Sequence, residues 1–490
     1  MKKVSKVFYI SVAIVTVMVI LGAVFPEQFE IITREVKSYV STTFGWYYML
    51  LMSALVIVAI LIAFSRFGKI RLGKDQDRPD FSTITWIGML FSAGMGIGLV
   101  FYGTAEPLSH FILDAPNAQV GSDEAFKDAL IYSYFHWGIH VWAMYGVIAL
   151  ALAYFQFRKG EPGLISATLK PLFGDRMNGP LGTIIDVLAV FATVFGVATS
   201  LGFGAVQING GLAHLFGISI GFVPQLVIII IVTFLFMLSA WSGLSKGIKY
   251  LSNTNIILAV FLLIIIIVIG PTLLIMNMFT ETIGMYIQNL IPMSFTTSPL
   301  GDDNRVWLDN WTIFYWAWWV SWAPFVGMFI ARVSRGRTIK EFLLGVMIVP
   351  TAFIAIWYAA FGTSAGDMQE KGIDLSGFST ELVLFNMFDH LPMSLFLSIL
   401  AILLIASFFI TSADSATFVL GMQTTYGSLT PPNMVKIVWG LAQSAVALIL
   451  LYVGGLEALQ NTIIIIALPF SFIMILMVIA LYKALQKEIL

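Results

Sequence analysis

The 490-residue chain has no cysteine and few charged side chains. The absence of cysteine excludes disulfide bonds, thiol nucleophiles and metal centres built on cysteine. Only 11% of the residues are charged, the net charge is −1, and no glycine-rich loop is followed by Lys and Ser or Thr. The chain therefore gives no sign of nucleic-acid binding or of a Walker-type ATP site. Hydrophobic residues, in contrast, make up 59% of the chain, which excludes an ordinary soluble domain.

Long apolar runs predict an all-α integral membrane protein with twelve transmembrane helices, because about 20 apolar residues span a bilayer. The predicted spans are 7–25, 47–66, 85–105, 129–155, 181–207, 219–241, 252–276, 308–332, 342–363, 393–420, 434–454 and 461–483. With a cytoplasmic N-terminus, the Lys and Arg residues left on the outer side, out of 26, are Arg34, Lys37, Lys127, Arg305 and Lys371. By the positive-inside rule, we expect a multi-pass protein of the cell (plasma) membrane with both termini in the cytoplasm.

Two spans contain residues that disfavour a continuous helix. The third carries Gly94, Gly96 and Gly98, and the eighth carries Pro324 and Gly327. Interrupted helices in corresponding positions of two halves point to the substrate site of a transporter, whereas the alternative is that the glycines only let helices pack closely. The predicted units are two N-terminal helices and a loop in 1–84, a five-helix repeat in 85–276, an outer interfacial helix and loop in 277–307, and an inverted five-helix repeat in 308–490.

Aromatic side chains form two clusters with helical spacing. The first is Tyr315, Trp318, Trp319 and Trp322, with Trp316 on the opposite face, and the second is Trp137, Trp142 and Tyr145. Several indole faces can replace water around a cation that donates no hydrogen bonds. The clusters therefore predict a cage for a methylated ammonium compound, and the alternative for any single tryptophan is packing or an interfacial position.

Five segments of the chain carry a family resemblance. They are 95–107, 136–140, 316–324, 334–338 and 408–412. The chain resembles the betaine–choline–carnitine transporter family, in which these motifs occur in the same order. The resemblance implies a LeuT-like core of two inverted five-helix repeats after two extra helices, alternating access and a homotrimer among membrane lipids. It also implies a transporter without an organic cofactor, and not an enzyme.

The resemblance assigns a substrate site residue by residue. Its aromatic box falls on Trp137, Trp142, Tyr145 and Trp319, with Trp318 and Trp322 beside it. The substrate carboxylate would meet backbone N–H groups of Gly94, Met95, Gly96 and Gly98. Choline-transporting relatives often carry Asp where this chain has Gly98, so the site is expected to prefer a zwitterion such as glycine betaine.

The same resemblance implies sodium as the coupling ion. The sodium ligands would be Ser92, Met95, Phe408, Thr411 and Ser412. Hydroxyl groups of this kind can instead bond back to their own helix. A second sodium site would use Thr193 and Phe325, but Val197 stands where the family has another hydroxyl, and Thr199 or Ser200 would have to compensate. That departure leaves the number of sodium ions open.

The predicted function is sodium-coupled import of glycine betaine, a small trimethylammonium zwitterion, for osmoprotection. The alternatives are a sodium-independent carnitine/betaine exchanger and a proton-coupled choline importer. A membrane enzyme would need a catalytic dyad or metal set, and a channel would need a continuous polar pore; neither pattern is found.

Other polar residues in the spans receive structural roles. His136 and His140 lie one turn apart without an obvious Cys, Asp or Glu partner, which favours helix-packing hydrogen bonds over metal binding. Asp414 is expected at a gate or in an ion pair. Arg335 and Arg337 are expected to hold a cytoplasmic loop.

Overall fold

The structure, a computed structural model, describes residues 4–94, 96–242, 247–301 and 303–488, without the side chains of 91–94, 242, 247–252 and 303. These residues form helices, and apart from a single bridge between Arg71 and Thr338 they contain no β structure. The first nine helices are α1 (Lys6–Val24), α2 (Pro26–Phe64), α3 (Thr83–Gly94), α4 (Ile97–Ile112), α5 (Asp123–Trp137), α6 (Ile139–Ala153), α7 (Ile165–Thr168), α8 (Lys170–Phe173) and α9 (Pro180–Phe216).

The second half of the chain continues the same all-helical pattern. Its helices are α10 (Phe222–Ser242), α11 (Gly247–Ile269), α12 (Thr272–Phe295), α13 (Asp303–Asn310), α14 (Thr312–Val333), α15 (Ile339–Glu370), α16 (Thr380–Asp389), α17 (Ser394–Gln423) and α18 (Asn433–Gln486). By length and composition, nine helical stretches of the described chain can cross a membrane, or ten if α11 and α12, bent by 111°, count as one. Helices suit this environment because they satisfy their backbone hydrogen bonds internally. The protein is therefore an all-helical, multi-pass membrane protein.

The third predicted span is interrupted as expected. Helix α3 ends at Gly94 and α4 begins at Ile97, while Gly96 between them is extended with φ −123° and ψ −164°. Met95 lies outside the described residues. The prediction of a break from closely spaced glycines is confirmed, and it leaves backbone groups of this segment free for other partners.

The predicted break in the eighth span is wrong. Helix α14 continues through Pro324 and Gly327 without interruption. A Cβ atom at Gly327 would lie 3.1 Å from Ile148 Cγ2, so this glycine allows close packing against α6. Pro324 is buried, and the neighbouring helices that pack around it stabilise the helix despite the hydrogen bond that proline removes.

One further kink divides the last helix of the chain. Within α18, Gly454 and Gly455 are non-helical, and Gly455 has a φ of 60° that favours glycine. This point separates the predicted spans 434–454 and 461–483.

The helix expected within 277–307 is present as α12, although it begins earlier, and Ile287 and Ile291 on it are 66% and 72% exposed. Its position at the outer membrane surface stays a prediction.

Two arginines join the segment before α3 to the turn after α14. Arg337 is only 1% exposed, donates to the Phe81 carbonyl at 3.0 Å and lies 4.0 Å from the Trp86 ring centre. Arg335 lies 3.5 Å from the Asp77 carboxylate. The expectation that Arg335 and Arg337 hold a loop is confirmed.

Candidate functional site

Trp137 of α5 meets the tryptophans of α14 in the protein interior. Its ring lies 4.7 Å from Trp319, edge-on, and 6.0 Å from Trp318. Trp318 and Trp319 are stacked at 4.8 Å with an interplanar angle of 10°. Tyr315 is stacked on Trp319 at 5.9 Å. We call Trp137, Tyr315, Trp318 and Trp319 the aromatic cluster. Its rings contact one another directly, so a ligand can enter only if they separate.

The interrupted span touches the aromatic cluster at Gly98. A Cβ atom at Gly98 would lie 2.7 Å from Trp318 Cη2 and 2.8 Å from Trp137 Cη2. Real Cβ atoms do not approach other atoms so closely, and only glycine allows the helix to lie against both rings. At Gly96 the nearest ring atom, Trp322 Cη2, would be 3.5 Å away, which is ordinary contact. The helix break and the rings therefore lie in contact, and the role of Gly96 and Gly98 in substrate binding stays a prediction.

Trp142 and Tyr145, which were predicted to complete the box, form a separate pair on α6. Their rings are 5.8 Å apart, both residues are 1% exposed, and no ring contact among the described residues joins them to the aromatic cluster. The Trp142 Nε1 and Tyr145 hydroxyl groups have no hydrogen-bond partner in the described part of the chain. Trp322 lies between the helix break and α9, since its ring faces Gly96 and its Nε1 donates to the Gly196 carbonyl at 2.7 Å.

A buried glutamate, which the sequence analysis did not single out, connects the aromatic cluster. Glu106 of α4 is fully buried, and its Oε2 accepts hydrogen bonds from Trp137 Nε1 at 2.8 Å and from the hydroxyl groups of Tyr315 at 2.5 Å and Tyr358 at 3.3 Å. Its Oε1 lies 2.7 Å from His136 Nδ1. Three helices, α5, α14 and α15, thus supply partners to one carboxylate of α4. Its position directly after the third predicted span was the available signal, because ionisable residues inside a membrane are rare and functional by default.

The two histidines of the His-Trp-Gly-Ile-His segment bond to other helices. His136 Nε2 lies 2.9 Å from Thr312 Oγ1, and His140 Nε2 lies 2.9 Å from Ser294 Oγ. The prediction of helix-packing hydrogen bonds is confirmed. The expectation that His136 has no acidic partner is wrong, since Glu106 comes from a helix 30 residues away in sequence.

The predicted sodium ligands on α17 are engaged by a neighbouring asparagine. The Thr411 hydroxyl lies within 3.1 Å of the Ser407 and Phe408 carbonyls of its own helix and accepts a hydrogen bond from Asn255 Nδ2 at 2.9 Å. The Ser407 hydroxyl donates to Asn255 Oδ1. Asn255 of α11 is fully buried.

The remaining members of this predicted set give less information. Ser412 is partly buried on α17. The side chain of Ser92 and the whole of Met95 lie outside the described residues. The structure therefore brings Phe408 and Thr411 together through back-bonding, and the ion site itself stays a prediction.

The residues predicted for a second sodium site do not bring free hydroxyl groups together. The hydroxyls of Thr193 and Thr199 donate to their own helix, at the carbonyls of Ala189 (2.8 Å) and Phe195 (2.9 Å). Phe325 contacts the ring of Trp322 at 5.6 Å. Ser200 Oγ is buried and has no partner among the described residues.

Asp414 is buried and accepts a hydrogen bond from Ser239. Within the described ranges its side chain forms no ion pair. Lys436, which could have been its cationic partner, donates to the Ala240 carbonyl instead. The ion-pair expectation for Asp414 is therefore not met there.

Comparison with known proteins identifies the family. The family model described as "BCCT, betaine/carnitine/choline family transporter" matches residues 6–490. The chain belongs to the BCCT family. It is 57% identical over 489 residues to the glycine betaine transporter OpuD of Bacillus subtilis, covering 100% of this chain and 96% of that protein. It is 44% identical to the ectoine/hydroxyectoine transporter of Virgibacillus pantothenticus, over 99% of this chain and 97% of the relative.

A solved structure extends the comparison to the fold of this BCCT transporter. The structure of a Na⁺-coupled sialic acid symporter, in a substrate-bound outward-open state, gives a TM-score of 0.51 at 14% identity and covers 90% of this chain and 86% of that chain. At this identity the likeness concerns the fold. The family predicted from the sequence motifs is confirmed, and the protein is a transporter rather than an enzyme.

Proposed function

We propose that this BCCT transporter imports glycine betaine by sodium symport across the plasma membrane, with osmoprotection as its role. The observation that carries the proposal is the mutual contact of Trp137, Trp318 and Trp319, with Gly98 packed against the first two rings. Full-length similarity to proteins named as glycine betaine transporters supports the same substrate.

The ammonium group of the substrate is recognised by the aromatic cluster. Indole faces attract a diffuse cation, and each contact contributes about 0.5–2 kcal/mol, the larger values in a dry site. The Glu106 carboxylate, held by the Trp137 indole nitrogen, adds negative potential beside the rings. Trimethylammonium donates no hydrogen bond, so this arrangement favours it over sodium or potassium, which need oxygen ligands. Trp142, Tyr145 and Trp322 belong to the site in states where the cluster opens.

The carboxylate of the substrate binds backbone N–H groups where α3 and α4 separate, around Gly94, Met95, Gly96 and Gly98. The first N–H groups of a helix carry partial positive charge and no intrahelical partner. The contact of Gly98 with two rings leaves no space for a side chain that could pair with choline. A zwitterion therefore fits both ends of the site.

Sodium binds between α3 and α17, with the Thr411 and Ser412 hydroxyls and the backbone oxygens of Ser92, Met95 and Phe408 as ligands. Asn255 Nδ2 donates to the Thr411 hydroxyl, so Asn255 would act as an outer-shell partner that holds this ligand in position. Sodium coupling of the solved structural neighbour supports this choice of ion. A second sodium at Thr193 and Phe325 has weaker support, because both nearby threonine hydroxyls bond to their own helix.

The proposed topology has twelve spans with both termini in the cytoplasm. Counting α3 with α4 as one interrupted span, α11 as one span with α12 at the outer surface, and α18 as two spans adds three spans to the nine continuous stretches. Two inverted five-helix repeats would then follow two additional helices. The homotrimer implied by the family resemblance can be tested by mass measurement of the purified protein.

Uptake of radiolabelled glycine betaine into proteoliposomes tests the proposal directly. Accumulation that requires an inward sodium gradient, and that excess unlabelled choline does not reduce, is the expected result. Uptake that needs internal betaine or carnitine but not sodium would mean an exchanger and would overturn the coupling assignment. Stronger competition by ectoine than by betaine would move the substrate assignment to the class transported by the Virgibacillus relative.

A further inference from the structure

We propose that Glu106, His110 and His136 form a binding site for a divalent transition-metal ion, with Zn²⁺ as the best chemical match. The site lies beside the aromatic cluster, where α4 meets α5. One carboxylate and two imidazoles are the ligand set of several zinc centres that leave a fourth position open. Metal binding at this site is independent of the transport function proposed above.

The first observation is that the buried imidazole of His110 lacks hydrogen-bond partners. It is fully buried, and neither of its ring nitrogens has a hydrogen-bond partner in the described chain. Buried polar side chains almost always have a partner, and an unsatisfied one requires an explanation such as a bound ion or water. Glu106 Oε1 lies 3.5 Å from His110 Nε2.

The spacing of the three groups is the second observation. Their ligand atoms all lie within 4.8 Å of one another, with Glu106 Oε1 2.7 Å from His136 Nδ1 and 3.5 Å from His110 Nε2. Bonds of about 2.0–2.2 Å in a tetrahedral centre separate its ligand atoms by about 3.3–3.6 Å. An ion therefore needs only small side-chain movements to bind all three.

The surrounding groups already have the positions of outer-shell partners. Metal-bound imidazoles usually donate their second N–H to an oxygen, and metal-bound carboxylates are themselves hydrogen-bonded. Thr312 Oγ1, 2.9 Å from His136 Nε2, can accept such a bond once the proton of His136 moves from Nδ1 to Nε2. Trp137 and Tyr315 hold the second carboxylate oxygen of Glu106.

A short route leads to the site. The His110 ring is covered by Trp311, whose centre is 4.5 Å away, and by Trp307 at 5.0 Å. Trp311 is only partly buried, so one indole separates His110 from the surface. Rotation of this ring would admit an ion.

Binding of Zn²⁺ has a consequence for transport that rests on the proposed function. A divalent ion beside Glu106 would cancel the negative potential that favours an ammonium group in the aromatic cluster. We therefore expect Zn²⁺ to inhibit glycine betaine uptake and to lower betaine affinity.

The test measures metal binding without transport. The chain has five histidines, and His214 and His390 lie nearer the surface, where His214 pairs with Asp389. The full-length protein with His214→Ala and His390→Ala removes these surface imidazoles. Equilibrium dialysis of this variant in detergent should give one Zn²⁺ per chain, and Co²⁺ in place of Zn²⁺ should give the visible absorption of a tetrahedral centre.

Variants of the cluster decide the ligand assignment. In the same background, His110→Gln and Glu106→Gln should each weaken binding by about 100-fold or more, since loss of an outer-shell partner alone costs about 10–100-fold. His140→Gln is the matched control, because His140 is also buried but bonds to Ser294, and it should leave binding unchanged. Thr312→Val should weaken Zn²⁺ binding by about 10–100-fold, because it removes the outer-shell partner of His136. This variant tests the ligand assignment if His110→Gln does not fold.

Three results would overturn the proposal: no stoichiometric Zn²⁺ in the background variant, unchanged affinity in His110→Gln or Thr312→Val, or a Co²⁺ spectrum of an octahedral aquo ion. Glycine betaine uptake by the His214→Ala, His390→Ala background variant, which keeps all three proposed ligands, separates the two hypotheses. Zinc binding without uptake would refute the transport proposal alone, and uptake without zinc binding would refute this site alone.

Discussion

The indole nitrogen of Trp137 donates a 2.8 Å hydrogen bond to Glu106 Oε2, and the centre of the same indole lies 4.7 Å from the centre of the Trp319 ring. This pair connects the charge of α4 to the aromatic face offered by α5. The carboxylate fixes the orientation of the ring and raises the negative potential around it. Recognition of a quaternary ammonium in this protein would thus depend on an acidic residue that need not contact the substrate.

Glu106→Gln tests this relationship. The amide keeps the shape of the side chain, but it removes the charge and replaces one hydrogen-bond acceptor by a donor. Hydrogen bonds to charged groups contribute about 1.5–3 kcal/mol, so we expect the KM for glycine betaine to rise by about 10–100-fold. Radiolabelled uptake measures the KM, and Glu281→Gln, at a 52% exposed side chain, is the control. An unchanged KM would contradict the role of Glu106.

Trp319→Leu should abolish saturable uptake, because it removes the ring that contacts both Trp137 and Trp318. Trp46→Leu, at a 53% exposed position, should leave uptake unchanged. Trp316→Leu is a different case. Trp316 is fully buried and stacked on His140, so its replacement should lower thermal stability while the folded protein keeps its KM. Equal loss of uptake in all three variants would contradict the cluster as the binding site.

Gly98→Ala should impair binding through contact rather than charge. The added methyl group would lie under 3 Å from ring atoms of Trp137 and Trp318 and must displace them. We expect uptake at low substrate concentration to fall by at least about 10-fold, since overpacking typically costs about 1–3 kcal/mol. The matched control is Gly284→Ala, also in a helix, where nothing lies within 4 Å of the added atom. Wild-type uptake in Gly98→Ala would show that the rings move freely.

Glu488, which follows helix α18, gives a prediction for pH. Burial raises its pKa, but hydrogen bonds from Arg158, Lys159 and Tyr154 outweigh this effect and lower the pKa of Glu488 to about 2, from an ordinary value of 4.5. A lowered pKa in the folded state stabilises the protein above pH 4.5, and this contribution disappears as the pH falls toward about 2.

Glu488→Gln should therefore lower the free energy of unfolding by about 1 kcal/mol at neutral pH. Thermal unfolding in detergent should show the same difference from wild type at pH 7 and pH 5.5, and a shrinking difference below about pH 4.5. A difference that grows on acidification would contradict the ion pair of Glu488 with Arg158.

The residues that sequence reasoning located are those whose signal is local. Glycines at 94, 96 and 98 in an apolar run predicted the break between α3 and α4, because they act on the backbone at their own position. Pro324 gave the same kind of signal and misled, because packing of neighbouring helices around α14 determines whether a proline interrupts it. Helical spacing placed Trp318 and Trp319 on one face, but it could not place Trp137 and Trp142 at separate contacts on either side of Gly138.

The residues that were missed depend on distant partners. Glu106 gains its role from hydrogen bonds to Trp137, Tyr315 and Tyr358, which lie up to 252 residues away. Asn255 and Thr411 are 156 residues apart. Neither Glu106 nor Asn255 belongs to a spacing pattern in the sequence, so only the packing of the helices reveals their partners.

Asn255→Ala should change the response to sodium more than the response to substrate. Asn255 joins the hydroxyls of Thr411 and Ser407 through both ends of its amide, and its loss would free Thr411 to bond only to its own helix. Ion ligands must be held in position to bind well, and loss of an outer-shell partner typically costs 10–100-fold in metal affinity. We expect the sodium concentration for half-maximal uptake to rise by about 10-fold at saturating glycine betaine. Asn289→Ala, which removes an amide bonded only to its own helix at Met285, is the control. An unchanged sodium dependence in Asn255→Ala would show that Thr411 does not bind the coupling ion.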